Sequence, residues 1–328
     1  MLDQLLSIDA AILLLISFLI GIVVGLTGMG GGALMTPALI LFGIPPTTAV
    51  ANDLVAACVT KSVGASVHWK EGAPNRRLAT LLIVGSVPLA FAGAFIIDAI
   101  GPDDAQQEFV LGALGWTLLG AAVAYTLRAF LTLRAMSRGE TNRGIDDDPP
   151  IRAVSTIVVG AIGGLLVGLT SVGSGSVIMV VLLLLYPTLS ARRLVGTDLL
   201  QAVPLVLAAA ISHVIVTGVD WAILIPLLIG GSPGTYLGAR LAHWVSQTVV
   251  RHGLVIVLSM TALKMLGASA MTLGIAGATL LIFGPIAWAL LRRWLGLAPD
   301  EGLDSPPDQK VVAGQVTTVT ERGPSGAP

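Results

Sequence analysis

Hydrophobic positions along this chain come in long uninterrupted runs. Ala10–Leu26, Leu78–Ile97, Phe109–Leu127, Val154–Leu169, Leu199–Val216 and Ala270–Leu291 hold few or no charges. Each is near the length that crosses about 30 Å of hydrocarbon as a helix. In lipid every backbone polar group must be satisfied within the segment, so such runs predict an all-α polytopic membrane protein. Two polar stretches interrupt the pattern. Arg134–Pro150 (RAMSRGETNRGIDDDPP) lies near the middle, and the tail from Ala298 is rich in Pro, Gly, Thr and charge and reads as disordered.

The sequence repeats itself across the central stretch. GLTGMGGGALM (Gly25–Met35) matches GLTSVGSGSVI (Gly168–Ile178) at an offset of 143. After an insertion of two residues the offset is 145, which sets Asp53 on Asp198, His68 on His213, Gly85 on Gly230, Pro88 on Pro233 and Gly93-Ala94 on Gly238-Ala239. Low-complexity apolar sequence matches Gly and Ala by coincidence; it does not match Asp, His and Pro at one offset as well.

Each half predicts the same elements. A helix runs into a Gly-rich break (Ala10–Thr27; Val154–Thr170), and a segment too short for a comfortable crossing follows (Gly31–Phe42; Gly175–Tyr186). A polar-spotted helix comes next (Thr47–Trp69; Ala191–Val216), then a Pro- and Gly-containing one (Arg76–Ile97; Trp221–Trp244) and a fifth segment (Gln107–Leu131; Gln247–Gly267). One extra helix, Ala268–Trp294, ends the membrane region. The predicted organisation is a first repeat over 10–131, a polar cytoplasmic linker over 132–151, a second repeat over 152–267, the extra helix over 268–294 and a disordered cytoplasmic tail over 295–328.

Lys and Arg set the orientation. Lys70, Arg76 and Arg77 mark one connection, and Arg128, Arg134, Arg138 and Arg143 mark the central linker. Arg192-Arg193, Arg240, Arg251 and Arg292-Arg293 mark further ends, whereas the connection Asp98–Gln107 is acidic. With about five segments in each half, every basic cluster falls in the cytoplasm and the halves are inverted relative to each other. Merging break and short segment into one crossing would make the halves parallel and put two basic pairs outside.

Composition agrees with the membrane reading. Of 328 residues, 55% are hydrophobic and 11% charged, and mean hydropathy is +0.89; a soluble domain carries roughly 25% charged residues. The net charge of −1 gives no footprint for nucleic acid, and the one cysteine, Cys58, excludes an internal disulfide. The N-terminus lacks the positive region of a signal peptide, so its apolar run reads as a retained first helix.

Chemistry concentrates at the breaks. Unwound backbone at membrane depth is tolerated where it is buried in protein or lines a cavity. Thr27, Gly28, Gly30, Gly31 and Gly32 form the first break, and Thr170, Ser171, Gly173, Ser174, Gly175 and Ser176 the second. Each leads into a short helix whose first N–H groups lack partners and sit at the positive end of its dipole. Two such ends meeting between inverted halves would bind a small anion. For a single glycine, close helix packing is the better explanation; for two matched breaks, the site is.

Ionisable residues inside apolar helices need a partner or a wet cavity. Asp53, Lys61 and His68 share one helix and fall, with Thr60 and Gly64, within an arc of about 100°. The partner helix has Asp198, Gln201 and His213, with Val206 where Lys61 would be. Lys61 is the candidate for direct contact with the anion, against a structural ion pair with Asp53 or Asp198. Asp53, Asp198 and Gln201 either bind a coupling proton or cation or serve structure by capping neighbouring helix ends, the latter favoured. His68 and His213, at helix ends, read as interfacial anchors, and lying at opposite faces they make no metal site.

At these residues the chain resembles the sulfite exporter TauE/SafE family of bacterial membrane permeases. The resemblance rests on GLTGMGGGALMTPAL, PPTTAVANDL, HWKEG and GLTSVGSGS with the later VGTDL, and covers roughly residues 10–290. It implies a permease moving sulfite or a small organosulfonate across the bacterial inner membrane, with no cofactor and no enzymatic activity. It carries over no set of binding residues. A compact oxyanion of this kind suits helix N-termini and Lys61. A homo-oligomer is left open. The rival readings are a passive anion channel and an intramembrane serine hydrolase built on Ser174 and His213. The hydrolase is disfavoured because Gly31 stands where Ser174 would be in the first half.

Overall fold

The computed structural model describes residues 8–27, 31–68, 74–137, 150–173, 175, 177–186, 189, 191–241, 244–245 and 247–296. Gly28, Gly30, Ser174 and Ser176 of the candidate site, the His68 side chain, most of the central linker and the tail beyond 296 lie outside the described residues. The described residues form eleven helices: α1 (Ile8–Thr27), α2 (Gly32–Leu41), α3 (Pro46–His68), α4 (Arg76–Asp98), α5 (Asp103–Ser137), α6 (Ala153–Thr170), α7 (Val177–Leu185), α8 (Ala191–Val216), α9 (Trp221–Leu241), α10 (Gln247–Met265) and α11 (Ala270–Trp294).

The helix starts reproduce the sequence repeat. Gly32 and Val177, Pro46 and Ala191, and Arg76 and Trp221 each open equivalent helices 145 residues apart. α1 and α6 end at Thr27 and Thr170, 143 apart, so the two inserted residues lie inside the second break rather than after it. Even the caps repeat. Asn75 accepts the Leu78 N–H at 3.0 Å to open α4, and Asp220 accepts the Ala222 N–H at 2.9 Å to open α9.

Packing interleaves the two halves. The first helix of each half lies along the fourth helix of the other, α1 on α9 and α6 on α4. The third helices α3 and α8 meet each other, as do the fifth helices α5 and α10. Both first-on-fourth pairs run parallel in four-residue steps: Phe18 faces Gly234 and Ile22 faces Gly238, while Leu82, Ser86 and Ala90 face Gly160, Gly164 and Gly168. A Cβ at Gly234 or Gly164 would stand 2.2 Å from the backbone oxygen of Phe18 or Ser86. Only glycine permits these backbones to approach so closely, which is how helices associate where lipid supplies no hydrophobic drive.

The second break turns the chain back. Tyr186, just past α7, places its hydroxyl 2.6 Å from Thr156 Oγ1 and accepts the Arg152 N–H at 3.0 Å, at the start of α6. Ile178, at the start of α7, packs on Gly163 in the middle of α6. The nine-residue α7 therefore doubles back along α6 over part of its length.

Seven of the described helices are long and apolar enough to span a membrane: α1, α4, α5, α6, α8, α9 and α11. α3 has 23 residues but carries Asn52, Asp53, Thr60 and Lys61 and falls short in hydropathy, not in length. α11 packs on α10 and exposes Met271, Ile275, Phe283 and Trp294, apolar surface that suits lipid. One boundary differs from the sequence reading. α5 starts four residues before Gln107 and runs six past Leu131, into the stretch assigned to the linker. Leu133 is buried, so the inward apolar face continues, and Arg134 in the last turn complements the helix dipole.

Candidate functional site

The breaks reach each other through backbone. A Cβ added to Gly32, the first residue of α2, would lie 2.0 Å from the Ser171 carbonyl oxygen and 2.8 Å from the Ser171 hydroxyl. The start of α2 is thus set directly against the end of α6. Gly31 caps α2 with no side-chain bond, and its carbonyl accepts from Leu34 and Met35. The N–H groups of Gly32 and Ala33 lie in the first turn of α2, at the positive end of the helix.

Termination of α6 is built from local polar bonds. Thr170 donates its hydroxyl to the Leu166 carbonyl at 2.6 Å and accepts the Val172 N–H at 3.2 Å. Thr27, its counterpart, likewise donates to the Val23 carbonyl at 2.9 Å. Both threonines spend their proton on their own helix, as hydroxyls in apolar helices do. Ser171 then adopts the left-handed conformation, φ 61°, the one non-glycine residue among those described to do so. Its hydroxyl has no hydrogen-bond partner although the residue is only 7% exposed. Gly173, at φ 122°, completes the turn.

Because Val172 donates to Thr170, the Gly168 carbonyl loses its helical donor. His213 supplies the replacement, with Nε2 2.7 Å from that oxygen. This corrects the expectation of an interfacial anchor: His213 is 1% exposed and holds the last turn of α6. Ser174, paired with His213 in the hydrolase reading, lies outside the described residues.

The polar stripe of α3 faces inward. Asp53, 2% exposed, accepts the Thr36 hydroxyl of α2 at 2.5 Å and lies beside the Ser171 hydroxyl. Asp198, its counterpart on α8, accepts from Gln201 Nε2 at 3.2 Å, and Gln201 Oε1 lies 3.5 Å from the Ser86 hydroxyl. The Asp53 and Asp198 bonds are thus to side chains rather than to the helix ends the sequence suggested. Lys61, half-buried on α3, interacts first with Asp198 of the other half and second with Asp53.

Sequence reasoning missed two members. Thr36 showed no signal beyond its place in the TPAL segment after the first break. Arg128, read as a marker of the linker, sits inside α5 and interacts with Asp198; its place within a helical run was the available clue. Of the expected residues, Gly31, Gly32, Thr170, Ser171 and Asp53 gather where α2, α3 and the end of α6 meet. Asp198 and Gln201 gather with Ser86 between α8 and α4, and Lys61 interacts electrostatically with both carboxylates.

The comparisons bear on this geometry. The family model described as sulfite exporter TauE/SafE matches residues 13–265. The probable membrane transporter protein YjnA of Bacillus subtilis strain 168 is 32% identical over 255 residues, covering 77% of this chain and 98% of its own. YdhB of the same strain, also a probable membrane transporter protein, is 28% identical over 243 residues, covering 73% and 93%. A probable membrane transporter protein of Xylella fastidiosa strain Temecula1 is 28% identical over 237 residues, covering 70% and 84%. No solved structure gives a significant match.

Proposed function

The chain belongs to the sulfite exporter TauE/SafE family of membrane transporters, and from that premise we propose that it is a secondary transporter of a small sulfur oxyanion, sulfite or a small organosulfonate, in a bacterial inner membrane. The observation that carries this reading is the contact of Gly32 with Ser171. It sets the donor end of a short helix from one half against the break of the other. A tetrahedral or pyramidal oxyanion seated there accepts the Gly32 and Ala33 N–H groups, with Lys61 balancing its charge. Gly31, Thr170, Ser171 and Gly175 line the rest of the site.

The same reading makes the halves inverted repeats. It is supported by the turn-back at the second break and by which ends share a face. The starts of α4 and α8, bearing Arg76-Arg77 and Arg192-Arg193, meet through Asn75 N–H to Thr197 Oγ1 at 3.0 Å. The start of α3 meets that of α5, beside the acidic Asp98–Gln107 connection, through Gln107 to Thr47 at 3.1 Å. The basic end faces the cytoplasm. Cysteines replacing Asp103 and Thr141 will then label from opposite sides of the membrane in a Cys58→Ser background; labelling of both from one side sinks the inverted arrangement.

Function is tested by uptake into proteoliposomes, comparing sulfite, sulfate, thiosulfate and a small sulfonate under imposed ion gradients. A coupled transporter accumulates one of them above its equilibrium level. Flux that only dissipates the anion's own gradient means a channel, and no flux of any sulfur anion removes the substrate assignment.

A further inference from the structure

The two buried carboxylates are equivalent by sequence but are not equally served by cations. Asp198 has Lys61 and Arg128, Lys61 being its principal charged neighbour. The residue equivalent to Lys61 in the second half is Val206, which is buried on α8. Exchange of the halves would bring Val206 to Asp53 as Lys61 is brought to Asp198. The resident cation of one half has thus no counterpart in the other, and among the described residues Asp53 shares only the weaker interaction with Lys61. An anionic carboxylate 2% exposed requires compensation.

The groups around Asp53 are oxygens. They are the Thr36 hydroxyl at 2.5 Å and the adjacent Ser171 hydroxyl, with the Ser171 carbonyl close behind across Gly32. The Ser171 hydroxyl is more than nine-tenths buried and lies beside the carboxylate without reaching full hydrogen-bond geometry to it or to any other group. It is held there by a left-handed backbone that a non-glycine residue adopts only at a cost. The end of α6 adds the negative pole of its dipole. A carboxylate, two hydroxyls and an unwound carbonyl at the carboxyl end of a broken helix form the donor set of a hard monovalent cation.

We propose that Asp53, Thr36 and Ser171 form a sodium site that supplies to the first half the charge Lys61 supplies to the second. The inference deepens the transporter reading by naming its coupling ion. The sodium site and the anion seat at the start of α2 share the Gly32–Ser171 junction. Filling either site orders the same backbone junction and favours the other.

Unfolding temperature of the purified full chain in nanodiscs, titrated with sodium chloride against choline chloride at constant ionic strength and pH, tests this with no sulfur anion present. Wild type is expected to show a saturable rise specific to sodium. Asp53→Asn is expected to lose it, and Ser171→Gly to shift its midpoint at least about tenfold. Ser171→Gly suits the left-handed backbone, so without sodium it should unfold at or above the wild-type temperature, which separates loss of the site from loss of the fold. Identical sodium and choline curves in wild type, or a wild-type midpoint in Asp53→Asn or Ser171→Gly, would overturn the proposal. A stabilisation that follows pH and not sodium would overturn it too, assigning Asp53 to protons. Because no sulfur anion is added, a sodium response with no sulfite uptake would leave the cation site standing and remove only the substrate.

Discussion

Lys61→Ala will lower anion uptake by roughly a hundredfold or more and will also destabilise the folded protein. Lys61 is the principal charged neighbour of Asp198, a carboxylate 7% exposed on α8. Removing the cation opposite a desolvated anion costs about 3 kcal/mol, which is about a hundredfold in affinity, and it also leaves the buried Asp198 carboxylate with less compensating charge. Arg128 remains near Asp198 and will moderate the folding defect. The double variant Lys61→Ala/Asp198→Asn separates the two duties of the ammonium. It no longer buries a lone carboxylate, so stability returns toward wild type. Uptake stays at the level of the single variant if Lys61 also balances the anion. Wild-type uptake by the double variant would reduce Lys61 to the partner of Asp198 and remove it from the anion site.

Those two duties mark where sequence reading stops. Repetition of Asp, His and Pro at one offset was visible along the chain, and the helix starts at Pro46 and Ala191 and at Arg76 and Trp221 follow it. The polar stripe of α3 was visible from its helical spacing. Contacts between halves were not, because nothing in a one-dimensional pattern states which helix lies on which. The parallel pairing of α1 with α9 and of α6 with α4 emerges only once glycines 216 or 78 residues from their partners are brought together. His213 is the instructive failure. A histidine near a helix end resembles an interfacial anchor, yet the local choice of Val172 to donate to Thr170 leaves a carbonyl that only a residue 45 positions away satisfies. The end of α5 was misjudged for a simpler reason. Arg128 and Arg134 looked like the edge of the membrane, whereas Leu133 between them is buried.

Anion binding depends most on the junction of Gly32 with Ser171. A single methyl at Gly32 would stand 2.0 Å from the Ser171 oxygen and 2.7 Å from its carbonyl carbon, so α2 and the end of α6 must separate by about 1 Å or more to admit it. Displacement of that size is enough to cost a preorganised site roughly a hundredfold. The lipid-facing surface and the α1–α9 and α4–α6 seams are untouched, and the variant should still fold and insert. The direct measurement is equilibrium binding of sulfite, and of a small sulfonate, to purified wild type and Gly32→Ala by calorimetry, with thermal unfolding as the control for folding. Saturable binding by wild type that weakens at least about a hundredfold in a folded Gly32→Ala is the predicted result. Equal affinity in the two proteins would contradict the account, because an anion seated at the meeting of the breaks cannot ignore a methyl group placed there.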